Sequence, residues 1–445
     1  MKTSPIRLTA LVLVLATVLV LCAGCGGTTI NGVSLDKYTL VYDQDSPDYC
    51  LRAAEYIQQQ IMERTGIEIP VCEADSGSYD HEIIVGKSDR GIAKHLPDKY
   101  QKNEFYIMAQ DGDIALAGDY FLIAAAAYYF VETYIPGGSF RSEVPEHISA
   151  HTPITEAPNN FIFLIGDGMG VNHTKMFGTL PMPADVPYHD GEDVFYGYYL
   201  PYQGMVRTSS LSGTTDSAAG ATALACGIKT INGYVGKDKN LQDVQSLTEL
   251  AVSKGMATAV MSTDLMTGAT PAGFSAHAED RDDSDDILAC QRDMMQKNGT
   301  IFECGLHGTE EYQEDIAGVL ERLEESENGF FLMYEEGYID KFSHKWNLED
   351  TYASMFRFNQ AIGMFMEYAF YHPDTFLLIT ADHETGGLWF DKDGYPEYNH
   401  DGHTSADVPI FAYGQGAEAF RDYHGENVDI PKTIAKLWGV DDFGA

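Results

Sequence analysis

The chain has 445 residues, of which 44% are hydrophobic and 12% aromatic, too apolar for a disordered chain and long enough to bury one or two cores without disulfide staples. Against 67 Asp and Glu stand 28 Lys and Arg, a formal charge of −39, and no long basic run offers the phosphate contacts that a nucleic acid needs. Nucleic acid is therefore not an expected partner.

In chain order, Lys2 and Arg7 precede an apolar run from Leu8 to Leu21 and then Cys22-Ala23-Gly24-Cys25. A basic start, a short apolar stretch and small residues predict a signal peptide over residues 1–24, too short to span a membrane in the mature protein. Ala23 and Gly24 before Cys25 resemble a bacterial lipobox, which implies lipid on Cys25 and an anchor on the extracellular face of a bacterial membrane. Ordinary secretion is the alternative.

Residues 32–146 read as a small α+β unit. Tyr38 to Tyr42 is a β-rich run, and Asp48 to Thr65 carries apolar residues at helical spacing with Gly66 as a stop. Glu82 to Gly86 and Phe105 to Met108 read as strands, Asp111-Gly112-Asp113 as a turn before Ile114 to Gly118, and Tyr120 to Tyr134 as a helix. Pro136-Gly137-Gly138 and the stretch Ser149 to Pro158 look like a linker. Beyond the lipobox lie Cys50, Cys72, Cys226, Cys290 and Cys304, an odd number that cannot all pair within one chain. Cys50 with Cys72 and Cys290 with Cys304 are possible disulfides that no spacing requires.

Residues 159–445 hold five continuous apolar runs: Phe161 to Ile165, Ala257 to Met261, Phe330 to Met333, Phe376 to Ile379 and Pro409 to Ala412. Strands of this kind, separated by helical stretches, are covered on both faces and predict an α/β fold with a mainly parallel central sheet flanked by helices. Ligands collect beyond the carboxyl ends of such strands. After the runs come Asp167, the stretch Asp264 to Thr270, Glu335 with Asp340, and Asp382-His383, while His403 shortly precedes the last run.

Carboxylate oxygen and imidazole nitrogen are zinc ligands, and an Asp/His set without thiolates suits a catalytic rather than a closed structural site. Asp340 and His344 are spaced so that one helical turn or tight loop brings them together. Ser217, followed by Ala218-Ala219-Gly220-Ala221, would stand at a helix N-terminus with the positive end of the dipole nearby. Its bland role would be the N-cap of an Ala-rich helix.

Taken in order, Gly166-Asp167-Gly168-Met169-Gly170, Asp216-Ser217-Ala218-Ala219, Ala269-Thr270-Pro271-Ala272, the Glu335 to His344 stretch, Asp382-His383 and His403-Thr404 resemble the alkaline phosphatase family over about Asn159 to Gly414. The resemblance implies a phosphate monoester hydrolase that works through a phosphoserine on Ser217, with Arg281 clamping the phosphate. It further implies two zinc ions, one held by Asp167, Asp382 and His383 and coordinating Ser217, which it would activate, the other held by Asp340, His344 and His403. A magnesium ion would be held by Asp167, Thr270 and Glu335. Gly268 departs from the family pattern, which usually carries Asp or His there, and Lys341 lacks the acidic neighbour such a residue would supply. A weak, exchangeable third ion is the expectation.

Residues 32–146 resemble the N-terminal domain of α-glucuronidases, which implies glycans or sugar phosphates as further ligands, and a homodimer would be in keeping with the family. The expected role is extracellular phosphate scavenging. A phosphodiesterase or sulfatase of the same superfamily, or a glycan-binding surface protein with a vestigial phosphatase domain, are the alternatives. His277 is expected to pack or support, His400 to donate or accept a hydrogen bond, and the other histidines, His173 among them, to lie on surfaces or loops. The acidic run Glu279 to Asp286 reads as a solvated helix entry around Arg281.

Overall fold

The computed structural model describes residues 27–43, 48–97, 104–118, 121–150, 155–180, 194–305 and 312–445. The expected signal peptide and Cys25 lie outside the described residues, as do His151, His189 and His307. Among the described residues, no helix is long and apolar enough to cross a membrane.

All five apolar runs form strands of one eight-stranded sheet. Its order is Ile301–Cys304, Ala257–Ser262, Phe330–Glu336, Asn160–Gly166, Thr375–Thr380, Val408–Tyr413, Tyr202–Arg207 and Tyr423–Glu426. The first five run parallel, with Phe161 of the central strand opposite Phe331 on one side and Phe376 on the other. Val408–Tyr413 then runs antiparallel, so the sheet is mostly parallel. The strands not anticipated lie at the two sides of the sheet and are half-buried rather than continuously apolar, which leaves no run to read.

Residues preceding this sheet build a second, six-stranded one, in the order Val71–Glu73, Tyr38–Tyr42, His81–Val85, Asp113–Gly118, Phe105–Gln110 and His147–Ala150. Asp48–Thr65 is helical as expected, and the second helix is Leu122–Tyr134. The expected linker is too long at its start: His147–Ala150 pairs antiparallel with Phe105–Gln110, with Ser149 opposite Tyr106. A four-residue edge strand carries too little apolar pattern to be told from a loop. The two possible disulfides do not form; Cys50, Cys72, Cys226, Cys290 and Cys304 are all free thiols.

The two sheets share one continuous buried core. The long helix Leu348–Tyr371 lies between them and meets the N-terminal unit at three points. Glu367 accepts from Arg52 Nε at 2.9 Å and Nη2 at 2.7 Å, and the Tyr56 and Tyr371 rings sit 4.4 Å apart. At the third, Phe121 seats on Gly363 so closely that a Cβ there would lie 2.4 Å from its ring. Phe121 is itself wedged between the rings of Tyr49 and Tyr196, 5.4 and 5.1 Å away, so it has no room to retreat. Gly363→Ala is expected to destabilise the protein by about 1–3 kcal/mol despite alanine's better helix propensity, measured by urea denaturation.

Candidate active site

Strand ends and short turns bring the expected residues to one edge of the large sheet. Asp167 leaves strand Asn160–Gly166 on a turn where Gly168 has φ of 76°, and a Cβ at Gly168 would lie 2.9 Å from the Asp340 backbone. That close approach requires glycine. Asp340 lies in the helix Tyr338–Ser343, and the His344 N–H donates to the Asp340 carbonyl at 2.9 Å, so the one-turn spacing works as anticipated. His403 reaches the cluster because His403–Thr404 pairs with Glu384–Thr385, which follow Asp382 and His383. The rings of His383 and His403 stack with centroids 3.6 Å apart.

Two metal-competent groups result: Asp340, His344 and His403, and Asp167, Asp340 and His383. In the first, His344 Nδ1 faces the Asp401 carbonyl at 3.0 Å and His403 Nδ1 faces the Thr215 carbonyl at 2.8 Å. A carbonyl only accepts, so each ring carries its proton on Nδ1 when neutral and turns a bare Nε2 lone pair inward. Those two Nε2 atoms stand 3.0 Å apart, and Asp340 Oδ1 lies 3.3 and 3.4 Å from them. Acceptors converging on acceptors are repulsive until a cation lies between them. In the second group His383 Nε2 lies 3.6 Å from Asp167 Oδ1, and Asp382, outside both groups, brings its Oδ2 to 3.1 Å from the same nitrogen; both carboxylate oxygens are buried without a hydrogen-bond partner. The residues present thus fit a cluster of cations.

Ser217 opens the helix Ser217–Cys226 and is buried. The cap is Asp216 rather than Ser217: its carboxylate accepts from Ala219 N and Gly233 N, each at 2.9 Å. Relieved of capping, Ser217 Oγ points at His383 Nε2, 3.2 Å away. Small residues permit this, since a Cβ on Gly220 would stand 3.1 Å from Asp382 Cβ. Arg281 approaches from outside, with Nη1 3.3 Å from Asp216 Oδ2.

The charges follow from burial. Burial, then the charges of Asp382, Asp340 and Glu335, push Asp167 well above the usual carboxylate range. Burial and nearby Asp264 push Glu335 up to about 8, although Ser262 donates to it. Burial acts the same way on Asp340, but once protonated His403 donates to it, and the charges of His383 and His344 add to this, which outweighs burial and holds that carboxyl well below the usual range. Glu336 does not join the cluster; it takes Thr263 Oγ1 at 3.1 Å and Tyr338 N at 3.0 Å. Thr270, on the short helix Ala269–Ser275, is fully buried and turns its hydroxyl toward Glu335, opposing the upward push on that carboxyl.

Two corrections concern residues around this cluster. Lys341 does have an acidic neighbour, Asp264, whose Oδ1 it contacts. The other Asp264 oxygen lies 2.9 Å from where a Cβ on Gly268 would stand, so this carboxylate fills the place of a side chain at position 268. The stretch Asp264 to Thr270 marked the region, but no spacing singled out Asp264. His173 is not on the surface: it is fully buried, accepts from Gly170 N at 3.1 Å and faces Ser343 Oγ at 3.2 Å, and burial pushes it down to about 4. His277 pairs with Glu249 at 3.0 Å and with the Gly236 carbonyl, the supporting role expected of it. The acidic run around Arg281 is mostly exposed and leads into the helix Ser284–Asn298, as read.

Known proteins place this arrangement. "Alkaline phosphatase 3" of Bacillus subtilis is 26% identical over 331 residues, 62% of this chain and 70% of that protein. "Alkaline phosphatase 4" of the same organism is 27% identical over 294 residues, 53% of this chain and 63% of that protein. The solved alkaline phosphatase of the Antarctic bacterium TAB5 aligns over its whole length, covering 65% of this chain at 26% identity with a TM-score of 0.53. Fold and site together define a hydrolase of the alkaline phosphatase superfamily. The family model "Alkaline phosphatase" matches residues 158–311 and 306–396, more than half of the chain, and the chain belongs to that family.

Proposed function

We propose that the protein hydrolyses phosphate monoesters, with Ser217 as nucleophile. The observation that carries this reading is the Ser217 hydroxyl, freed from capping by Asp216, 3.2 Å from His383 Nε2 at the edge of a cluster of converging lone pairs. Asp167, Asp382 and His383 would hold one zinc ion, and Asp340, His344 and His403 the other. Bound there, zinc supplies Lewis acidity and counters the charge of the phosphoryl group. Ser217 Oγ gives up its proton and attacks phosphorus in line as the ester P–O bond breaks; the leaving oxygen gains a proton and departs as the alcohol, and water then cleaves the phosphoserine P–O bond, releasing phosphate and returning a proton to the Ser217 hydroxyl. Arg281, steered by Asp216, binds two nonbridging oxygens through its planar fork. The helix N-terminus at Ser217 adds its backbone dipole to the same charge.

Thr270, Glu335 and Asp167 would hold magnesium, and a variant of the TAB5 enzyme has been solved with Mg bound in a site termed M3. Asp264 adds the carboxylate that Gly268 lacks, so Asp264→Asn is expected to weaken magnesium binding about 10–100-fold in a titration of the zinc-loaded protein. Lipid on Cys25, an extracellular scavenging role, sugar-phosphate recognition by the N-terminal sheet and a homodimer complete the proposal. Mass spectrometry of the mature N-terminus, glycan binding and sedimentation test these in turn.

The activity is tested by assaying a phosphate monoester, its diester and its sulfate analogue side by side, after chelation and after restoring zinc with or without magnesium. Zinc-restored monoesterase activity is the expected result. Dominant diesterase or sulfatase activity would replace the monoesterase reading by another branch of the superfamily.

A further inference from the structure

The cluster is sealed on most sides. The side chains of Asp382 and His383 are 0% exposed, whereas those of His344, Lys341 and Arg281 are 37%, 38% and 36% exposed. The site therefore opens along the edge these three define, and whatever a substrate carries beyond its phosphate lies against the residues bordering that edge.

Two residues after His344 stands Trp346, 53% exposed and with φ of 55°, the left-handed region that a bulky side chain rarely adopts. It is held there by its backbone N–H, which donates to the Ser343 carbonyl at 3.0 Å, and by indole Nε1–H, which donates to the His400 carbonyl at 2.9 Å. The next carbonyl along, that of Asp401, faces His344 Nδ1 at 3.0 Å. The indole and the His344 imidazole thus hang from consecutive carbonyls of one loop, beside each other at the opening. The indole is tied at its N–H edge and half exposed to water. A strained backbone that presents a fixed, exposed ring gains little from packing, and such strain gathers where a ligand is clamped. Leu265, 67% exposed, follows the Asp264 that pairs with Lys341.

We propose that Trp346 determines specificity: its ring receives the leaving group and favours phosphate monoesters whose alcohol carries a flat aromatic ring close to the ester oxygen. This rests on the monoesterase reading above. Aromatic rings stack face-offset or edge-on with a modest gain beyond area burial, which sets the scale of the effect.

The test uses the full, zinc-loaded chain with benzyl phosphate and glycerol phosphate, whose leaving groups are both alkyl alcohols, so the ratio of their kcat/KM values reports on the ring. In Trp346→Ala that ratio is expected to fall about threefold to tenfold, mainly through a higher KM for benzyl phosphate. Trp346→Phe, which keeps a ring but loses the bond to the His400 carbonyl, is expected to keep the ratio within about twofold. Inhibition by phenylphosphonate relative to methylphosphonate is expected to weaken in step with it. Equal losses on both esters in both variants would mean that the indole only anchors the loop bearing His403, and would overturn the assignment. An unchanged ratio in Trp346→Ala would overturn it as well. No turnover of either ester by the unaltered chain would overturn the monoesterase reading itself.

Discussion

Ser217→Ala lowers turnover of phosphate monoesters by about four orders of magnitude or more and leaves zinc content unchanged; that is the first expected result, read by steady-state kinetics and metal analysis. The loss is large because nothing nearby can replace the hydroxyl. Thr215 turns its own hydroxyl to the Asp216 carbonyl at 2.9 Å, and Thr214 pairs with Ser405 at 2.8 Å. The fold, by contrast, is indifferent to the change. Position 217 begins a helix whose next two residues are alanine, alanine is the best helix former, and the cap belongs to Asp216. Asp216→Ala reverses this pattern. It removes two backbone hydrogen bonds to the cap and the partner of Arg281, so it is the variant that costs stability and phosphate affinity together. Turnover by Ser217→Ala within tenfold of the unaltered chain would sink the phosphoserine route.

These roles separate because the local sequence around Ser217 carries its own meaning, and much of the site is legible for that reason. Asp167, Asp382 and Glu335 sit directly after or at the end of continuous apolar strands, where fold topology alone delivers a side chain to the ligand edge. Asp340 and His344 are one helical turn apart. His403 is different: only the two-residue pairing of His403–Thr404 with Glu384–Thr385 stacks it on His383, and such short pairings leave no pattern in a sequence. Asp264 was hidden for a related reason. Its carboxylate fills the space over Gly268, four residues along the chain, and an exchange of place between a side chain and a glycine is a fact of packing rather than of spacing. His173 shows the opposite error. A lone histidine in a polar loop reads as surface, but the Gly170 N–H and the Ser343 hydroxyl satisfy both ring nitrogens and allow full burial.

Removing the metal is expected to abolish activity and to lower the thermal midpoint, by an amount that grows as pH rises from about 5 to about 8. The direction follows from the buried carboxylates. Without cations, burial and mutual repulsion hold Asp167 well above the usual range and Glu335 at about 8. Between the ordinary carboxylate value and those raised values, the folded metal-free chain keeps protons that the unfolded chain has already released. Unfolding then releases protons, so stability falls with rising pH across that window. Below it both states are protonated and nothing is lost. Cations among Asp167, Asp382, Asp340 and the three histidines substitute for those protons, so the loaded protein escapes the decline, and its affinity for metal rises with pH as the ligands shed protons. Scanning calorimetry of chelated and zinc-restored protein at several pH values measures the gap between the two midpoints. A gap that is constant or narrows toward pH 8 would show that the converging carboxylates are not where the metal binds, because protons and metal would then not be competing for the same oxygens.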